Sequence, residues 1–265
     1  MIILDLSQVM IATLMVQLGN HTNTEVDENL LRHMVLNSIR ANKIKFSDEY
    51  GELVIAADGK RSWRKEVFAY YKANRKRDRD ASELNWNQIF EALNKIRDEL
   101  KEVFPYRVIH VDHAEADDII ARFIHLHPDD SHYIISSDTD YIQLIANNVF
   151  QYNGITNQLI TTEGYFDDKG RIVVDKKTKE PKLLGDPKFV LFEKCMRGDV
   201  SDNVFSAFPG VRTKGTKNRV GLQEAFQDRH NKGLLILPKP RGPFTRSDDQ
   251  ATRKRSWWSV GSKLK

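Results

Sequence analysis

Four short apolar runs organise this chain: IIL at 2–4, LVIAA at 53–57, VIHV at 108–111 and YIIS at 133–136. Runs of this length and β-branched content, bounded by polar residues, are predicted as buried strands. Between them lie stretches with apolar residues at helical spacing. DENLLRHMVLNSIRANKIK carries Leu30, Leu31, Met34, Val35 and Ile39, while NQIFEALNKIRDELKEVF carries Ile89, Phe90, Leu93, Ile96 and Leu100. Short strands alternating with amphipathic helices imply an α/β fold: a mainly parallel sheet flanked by crossover helices. No internal repeat is present.

At 265 residues the chain is long enough for one sizeable α/β domain and a smaller appendage. No apolar run reaches the ~18 residues of a membrane span. The opening IIL lacks the basic and long apolar regions of a secretory signal. A lone cysteine, Cys195, excludes an intrachain disulfide framework and fits a reducing compartment. The net charge of +4 is unevenly spread. Nine Lys or Arg stand against Glu66 and Asp78 between Lys60 and Arg79, and a second basic block follows residue 234, so the rest of the chain is acidic. Basic blocks on an acidic body suit a solvated surface, or a polyanion site beside a metal-holding centre.

Each apolar run leads closely to an aspartate: Asp5, Asp58, Asp112 and Asp138. In open α/β sheets ligands bind beyond the carboxyl ends of the strands, so these acids are expected along one edge. The stretch HAEADDII adds Glu115, Asp117 and Asp118 at the start of a predicted helix. Two unit charges ~4 Å apart repel by about 4 kcal/mol at an effective dielectric of ~20, so a cluster calls for a cation. An all-oxygen donor set suits Mg²⁺ or Mn²⁺, and no Cys/His cluster points to zinc. Each acid also has a plainer role. An aspartate after a strand serves as a turn or N-cap residue. Asp112 with Glu115 matches a capping box, and Asp117 and Asp118 suit the first turn of a helix.

RGDVSDN supplies a further pair, Asp199 and Asp202, as turn residues or as ligands of a second metal. GKRSWRKEVFAYYKANRKRDRD follows Asp58 directly. On a continuous helix Lys65, Lys72, Arg75 and Arg79 lie roughly along one face, with Phe68, Tyr70 and Tyr71 as aromatic surface. Cations with aromatics are the ingredients of single-strand binding, and equally of an amphipathic surface helix. FPGVRTKGTKNRVGLQEAF is a Pro-Gly turn with Arg212, Lys214 and Lys217 before a helix, suited to phosphate contact or to a plain helical hairpin.

The ordered set LDLS, AADG, AYYKANR, EADD, SSDTD and GDVSDN resembles the flap endonuclease and ribonuclease H enzymes of T-even-like bacteriophages, within the structure-specific 5'-nuclease family. The likeness covers residues 1 to about 230. It implies a PIN-like catalytic domain over 1–185 with a basic helical arch around 60–80. A helix-hairpin-helix-type element over 186–233 and a basic tail over 234–265 complete the expected organisation. The resemblance further implies two Mg²⁺ ions, with Mn²⁺ as a substitute. Asp5, Asp58, Asp117 and Asp138, with Glu115 beside them, would hold the first; Asp140, Asp199 and Asp202 would hold or orient the second. Lys72 and Arg75 would act on the scissile phosphate, with Asp138 among the catalytic groups. Lys65, Tyr70, Tyr71, Arg212, Lys214 and Lys217 would contact nucleic acid, Tyr70 or Tyr71 by stacking. PGVRTKG lacks the closely spaced glycines of the cellular family's turn, so no bound K⁺ is implied.

The implied activity is hydrolysis at 5' ends and flaps of DNA and RNA–DNA duplexes, removing RNA primers in phage replication. The implied setting is a monomer in the infected host's cytoplasm, working with replication proteins such as a single-strand-binding protein. A PIN-type single-strand endoribonuclease and a non-catalytic nucleic-acid-binding protein are the alternatives.

Overall fold

The computed structural model describes residues 1–19, 26–208 and 221–231. They fall into two units: Met1–Ser62 with Arg79–Leu184, and Trp63–Asp78 with the chain from Gly185 onward.

The first unit is built on β1 (Ile2–Asp5), β2 (Leu53–Ala57), β3 (Arg107–His110), β4 (His132–Ile135), β5 (Val149–Asn153), β6 (Gln158–Thr161) and β7 (Gly164–Phe166). They form one sheet in the order β3-β2-β1-β4-β5-β6-β7. The pairs from β3 to β5 are parallel, and β6 and β7 add antiparallel strands at one edge. The four predicted strands are all present, and β1 extends one residue further, into Asp5.

The helices are α1 (Leu6–Leu18), α2 (Glu28–Tyr50), α3 (Trp63–Val67), α4 (Ala73–Asp80), α5 (Trp86–Glu102), α6 (Ala116–Leu126), α7 (Pro187–Arg197) and α8 (Leu222–Asn231). Side chains alternate across a strand, so each face of the sheet receives its own layer. Ile2, Leu4, Ile55, Tyr133 and Ile135 pack with α1, α2 and α5. Ile3, Ala56 and Ile134 pack with Ala116, Ile119 and Ile120 of α6. The expected stripes of α2 and α5 narrow in the fold. Leu31, Val35, Ile39, Ile89, Leu93, Ile96 and Leu100 are buried, whereas Leu30 and Phe90 are exposed. Consecutive residues on a helix are turned ~100° apart, so only one of two adjacent apolar residues can sit at the centre of the stripe.

The second unit holds α3, the start of α4, α7 and α8. Phe192 and Met196 of α7 pack with Leu222 and Phe226 of α8. Asp186 caps α7 and Pro187 opens it, where a missing N–H costs no helix bond. One expectation changes. The basic block is not one helix: α3 ends at Val67, α4 begins at Ala73, and Lys72 between them takes a left-handed φ of 55°. Lys65, Lys72 and Arg75 therefore do not share a continuous helical face. Trp63–Asp78 groups with the chain from Gly185 onward rather than with the sheet. Arg212, Lys214, Lys217 and the 234–265 tail lie outside the described residues. No helix among the described residues is long and apolar enough to cross a membrane.

Candidate functional site

Asp5 closes β1 and caps α1, so its backbone is held by both elements. Its Oδ1 accepts from Gln8 N at 3.1 Å. Its Oδ2 accepts from the Ser136 hydroxyl at 3.2 Å and the Tyr141 hydroxyl at 3.0 Å. Among the described residues every partner of Asp5 is neutral. Burial pushes its carboxyl up to about 6; the Gln8 amide opposes the shift, the Asp58 charge adds to it, the Tyr141 hydroxyl opposes it and the Asp138 charge adds to it. The lowered solvation of the charged form is the main cost.

Asp58 follows β2, and its Oδ1 accepts from Ala116 N at 2.6 Å, the first amide of α6. A carboxylate at a helix N-terminus meets orphan N–H groups and the positive end of the dipole. Gly59 makes the approach possible: a Cβ there would lie 2.4 Å from the Val111 carbonyl oxygen, while Gly59 N donates to Ala114 O at 2.7 Å. The capping box of α6 differs from the predicted one. The helix begins at Ala116, so Glu115 is its N-cap and Asp118 the third residue, with Glu115 N donating to Asp118 Oδ2 at 3.0 Å. Asp112 turns to its own loop and accepts from His113 N.

Asp138 caps a 3-10 turn over Thr139–Leu144, accepting from Asp140 N at 2.9 Å. Tyr141 of that turn is buried, and its hydroxyl pKa is raised well above the usual value by burial and then by the charges of Asp5, Asp117 and Asp138. Asp58, Asp117 and Asp138 are thus within electrostatic reach of the buried Tyr141–Asp5 pair. The capping role and the shared edge are both present, because a cap fixes one carboxylate oxygen and with it the direction of the other. Among the described residues no three acidic, His or Cys side chains are drawn to one point at metal-ligand geometry. The acids line an edge, each turned onto donors. An all-carboxylate set containing one buried member whose charge is disfavoured suits a hard divalent cation.

Asp199 and Asp202 belong to the second unit. Burial pushes the Asp199 carboxyl up, but bonds from the Ser201 hydroxyl and amide, with the Lys194 charge, outweigh it and hold the pKa below the usual value. Asp202 accepts from Arg75 Nη2 at 2.7 Å and from the Tyr71 hydroxyl at 3.2 Å, while its carbonyl accepts from Lys72 N at 2.9 Å. Asn74 Nδ2 donates to Val200 O at 2.9 Å, and Asn203 Nδ2 to Tyr70 O at 2.9 Å. These bonds tie segment 70–75 to the GDVSDN turn and explain why the basic block groups with the second unit. The turn itself needs Gly198 at φ 71°, where a Cβ would lie 2.5 Å from Phe205 backbone atoms. Tyr71 is buried, so Tyr70, 67% exposed, is the ring of the two that is open to a stacking base. Lys65 is exposed on α3, and Lys72 Nζ lies 4.9 Å from the Tyr71 ring centroid.

Sequence reasoning missed Ser136, Tyr141, Gln151, Asn74 and Asn203. Ser136 and Tyr141 lie inside SSDTDY, where flanking hydroxyls are a usable signal. The others carry no local mark.

A mainly parallel sheet with aspartates at or just past the carboxyl ends of β1, β2 and β4 is a PIN-like architecture. The chain belongs to the 5'-3' exonuclease family: residues 10–171 match the family described as 5'-3' exonuclease, N-terminal resolvase-like domain. It is 31% identical to the ribonuclease H of Enterobacteria phage T4 over 240 residues, covering 88% of this chain and 74% of that protein. It is 26% identical to a 5'-3' exonuclease of Buchnera aphidicola over 181 residues, covering 68% of this chain and 54% of that one. Among solved structures it is similar to the bacteriophage T5 flap endonuclease in a pseudo-enzyme-product complex with DNA and metal ions. The TM-score there is 0.60 at 19% identity, over 96% of this chain and 84% of that one. The chain is accordingly a nuclease of this family.

Proposed function

We propose that this chain is a Mg²⁺-dependent nuclease that hydrolyses phosphodiester bonds at 5' ends and flaps of DNA and RNA–DNA duplexes, removing RNA primers during phage DNA replication in the host cytoplasm. The observation that carries the reading is Asp5: a buried carboxyl pushed up to about 6, facing other strand-end acids and met, among the described residues, by neutral donors. A cation beside such a group would offset the cost of its charge. Family membership and the relatives' names support the substrate class.

Asp5, Asp58, Asp117 and Asp138, with Glu115 beside them, would hold a first divalent ion; Asp140, Asp199 and Asp202 are candidates to hold or orient a second. When bound, such ions supply Lewis-acid activation of water and stabilisation of the leaving oxygen. The α6 N-terminus and the hydroxyls of Ser136 and Tyr141 hold the first-unit carboxylates in fixed orientations. Lys72 and Arg75 contact substrate phosphates, offsetting charge that grows there during cleavage. Tyr70 offers a ring for stacking. Arg75 reaches phosphate by sharing or releasing Asp202, so that carboxylate also orients the guanidinium.

The test compares 5'-labelled RNA–DNA hybrid, nicked duplex and flap substrates with and without Mg²⁺ or Mn²⁺, for wild type and Asp138→Ala. Cleavage near 5' ends that needs the metal and is lost in the variant is expected. Full activity of Asp138→Ala, or preference for unstructured RNA, would overturn the assignment.

A further inference from the structure

We propose that Gln151 is a positioning residue for Asp138 and Asp5, holding the strand-end turn in the shape in which its carboxylates receive a divalent cation. This rests on the metal-dependent reading above and adds a residue to it. Gln151 lies in β5, opposite Ile134 of β4 and Ile160 of β6, and is 1% exposed. A strand covered on both faces normally reads as an apolar run, and a buried amide left unsatisfied costs about 1–3 kcal/mol. Its place in VFQYN therefore needs a physical cause.

The cause lies at the end of β4. The register of β4 with β5 ends at Ile135 opposite Tyr152, and Ser136 N makes the next bond, to Tyr152 O at 3.1 Å. Beyond it the chain turns away. Gln151 Nε2 donates to Ser136 O at 2.9 Å and to Asp138 O at 2.6 Å, replacing ladder bonds that the turn gives up. Both partners are carbonyls, so the amide nitrogen must face them.

Gln151 Oε1 has no hydrogen-bond partner among the described residues, so the side chain is held by its two donor bonds alone. Ser136 Oγ accepts from Asp138 N at 3.2 Å and donates to Asp5 Oδ2. Gln8 Nε2 donates to Ser137 Oγ. The backbone on both sides of Ser137 is thereby pinned, and one nitrogen of Gln151 joins the residue that orients Asp5 to the residue that bears the Asp138 carboxylate.

Gln151→Met keeps the length and removes both donors; Gln151→His keeps an N–H. The full-length protein is titrated with Mn²⁺ by calorimetry without nucleic acid, and flap cleavage is measured across Mn²⁺ concentrations, with thermal melting as the control for folding. Orienting residues behind metal ligands typically contribute about 10–100-fold, so Gln151→Met is expected to raise both the Mn²⁺ dissociation constant and the half-saturating Mn²⁺ by that factor. The KM for nucleic acid should stay near wild type, kcat should recover at high Mn²⁺, and Gln151→His should fall between. Wild-type Mn²⁺ affinity in a folded Gln151→Met, or a defect confined to nucleic-acid KM, would overturn the role. If Gln151→Met fails to fold, Gln151→His against wild type decides by the same two readouts. A wild type that neither binds Mn²⁺ nor cleaves overturns the metal-dependent reading itself, whereas an active wild type with an indifferent variant overturns only the role of Gln151.

Discussion

Asp5 and Asp202 each accept a bond from a tyrosine hydroxyl, Tyr141 for one and Tyr71 for the other, yet their other partners differ in charge. In the second unit the protein brings its own cation, Arg75, to Asp202. In the first unit Asp5 meets, among the described residues, a backbone amide and two hydroxyls, and burial disfavours its charge. The contrast shows what a nearby tyrosine can and cannot do. A hydroxyl satisfies a lone pair, but it does not offset the loss of solvation around a full charge. The second-unit acid has a cation of the protein's own beside it, while the first-unit acid has none among the described residues.

The largest expected effect comes from making Asp5 neutral. In Asp5→Asn the hydroxyls of Ser136 and Tyr141 can rotate to accept from the new amide, so the fold survives. Cleavage should fall to background while the melting temperature in EDTA at neutral pH rises. A variant that loses stability along with activity would break the comparison.

The same pair of proteins carries the pH signature. The folded pKa of Asp5 is about 6 against an ordinary 3.8, so the unfolded chain ionises first as pH rises. The folded state then binds more protons, and stability falls between about pH 4 and pH 6, with no further slope from this group above that range. At 1.36 kcal/mol per pKa unit the loss is on the order of 3 kcal/mol, present in wild type and absent in Asp5→Asn. Urea unfolding of both proteins in EDTA across this range measures it.

The second unit's pairing depends on the shape of its turn. Gly198→Ala places a methyl against the Val204 and Phe205 backbone at a left-handed φ, so a destabilisation of about 1–3 kcal/mol is expected. Hydrogen exchange should quicken at Val204 N, which bonds Asp199 O, while the amides of β1 and β4 stay protected. Equal loosening of both regions would show that the two acids are not separately supported. The smallest effect is the ion pair itself. Arg75 is about half exposed at its side chain, so a double-mutant cycle of Arg75→Met with Asp202→Asn should give a coupling of about 0.2–1 kcal/mol in stability. A larger value would mean that Asp202 is held as firmly as a buried pair.

Much of the sheet was legible because hydrophobic period is a local property. The runs at 2–4, 53–57, 108–111 and 133–136 announced β1 to β4 to within a residue. LSQVMIATLMVQL did not announce α1, since it is apolar on nearly every side and shows no stripe. VFQYN did not announce β5, since its central residue is a buried glutamine whose reason for being there lies in the turn after β4. The basic block misled, because a heptad-like spacing of cations says nothing about a left-handed residue at Lys72 that breaks the helix.

The chain by itself determined that acids would stand at successive strand ends, because strand length and the polar residue that stops it are written side by side. Only the tertiary structure decided which of those acids is buried, which donors reach it and which one meets a cation. Ser136 lies 131 residues from Asp5, and Arg75 lies 127 from Asp202. A hydrogen bond needs its atoms within about 3 Å, and nothing in either residue's neighbours along the chain states which distant partner the folded sheet or turn will bring that close.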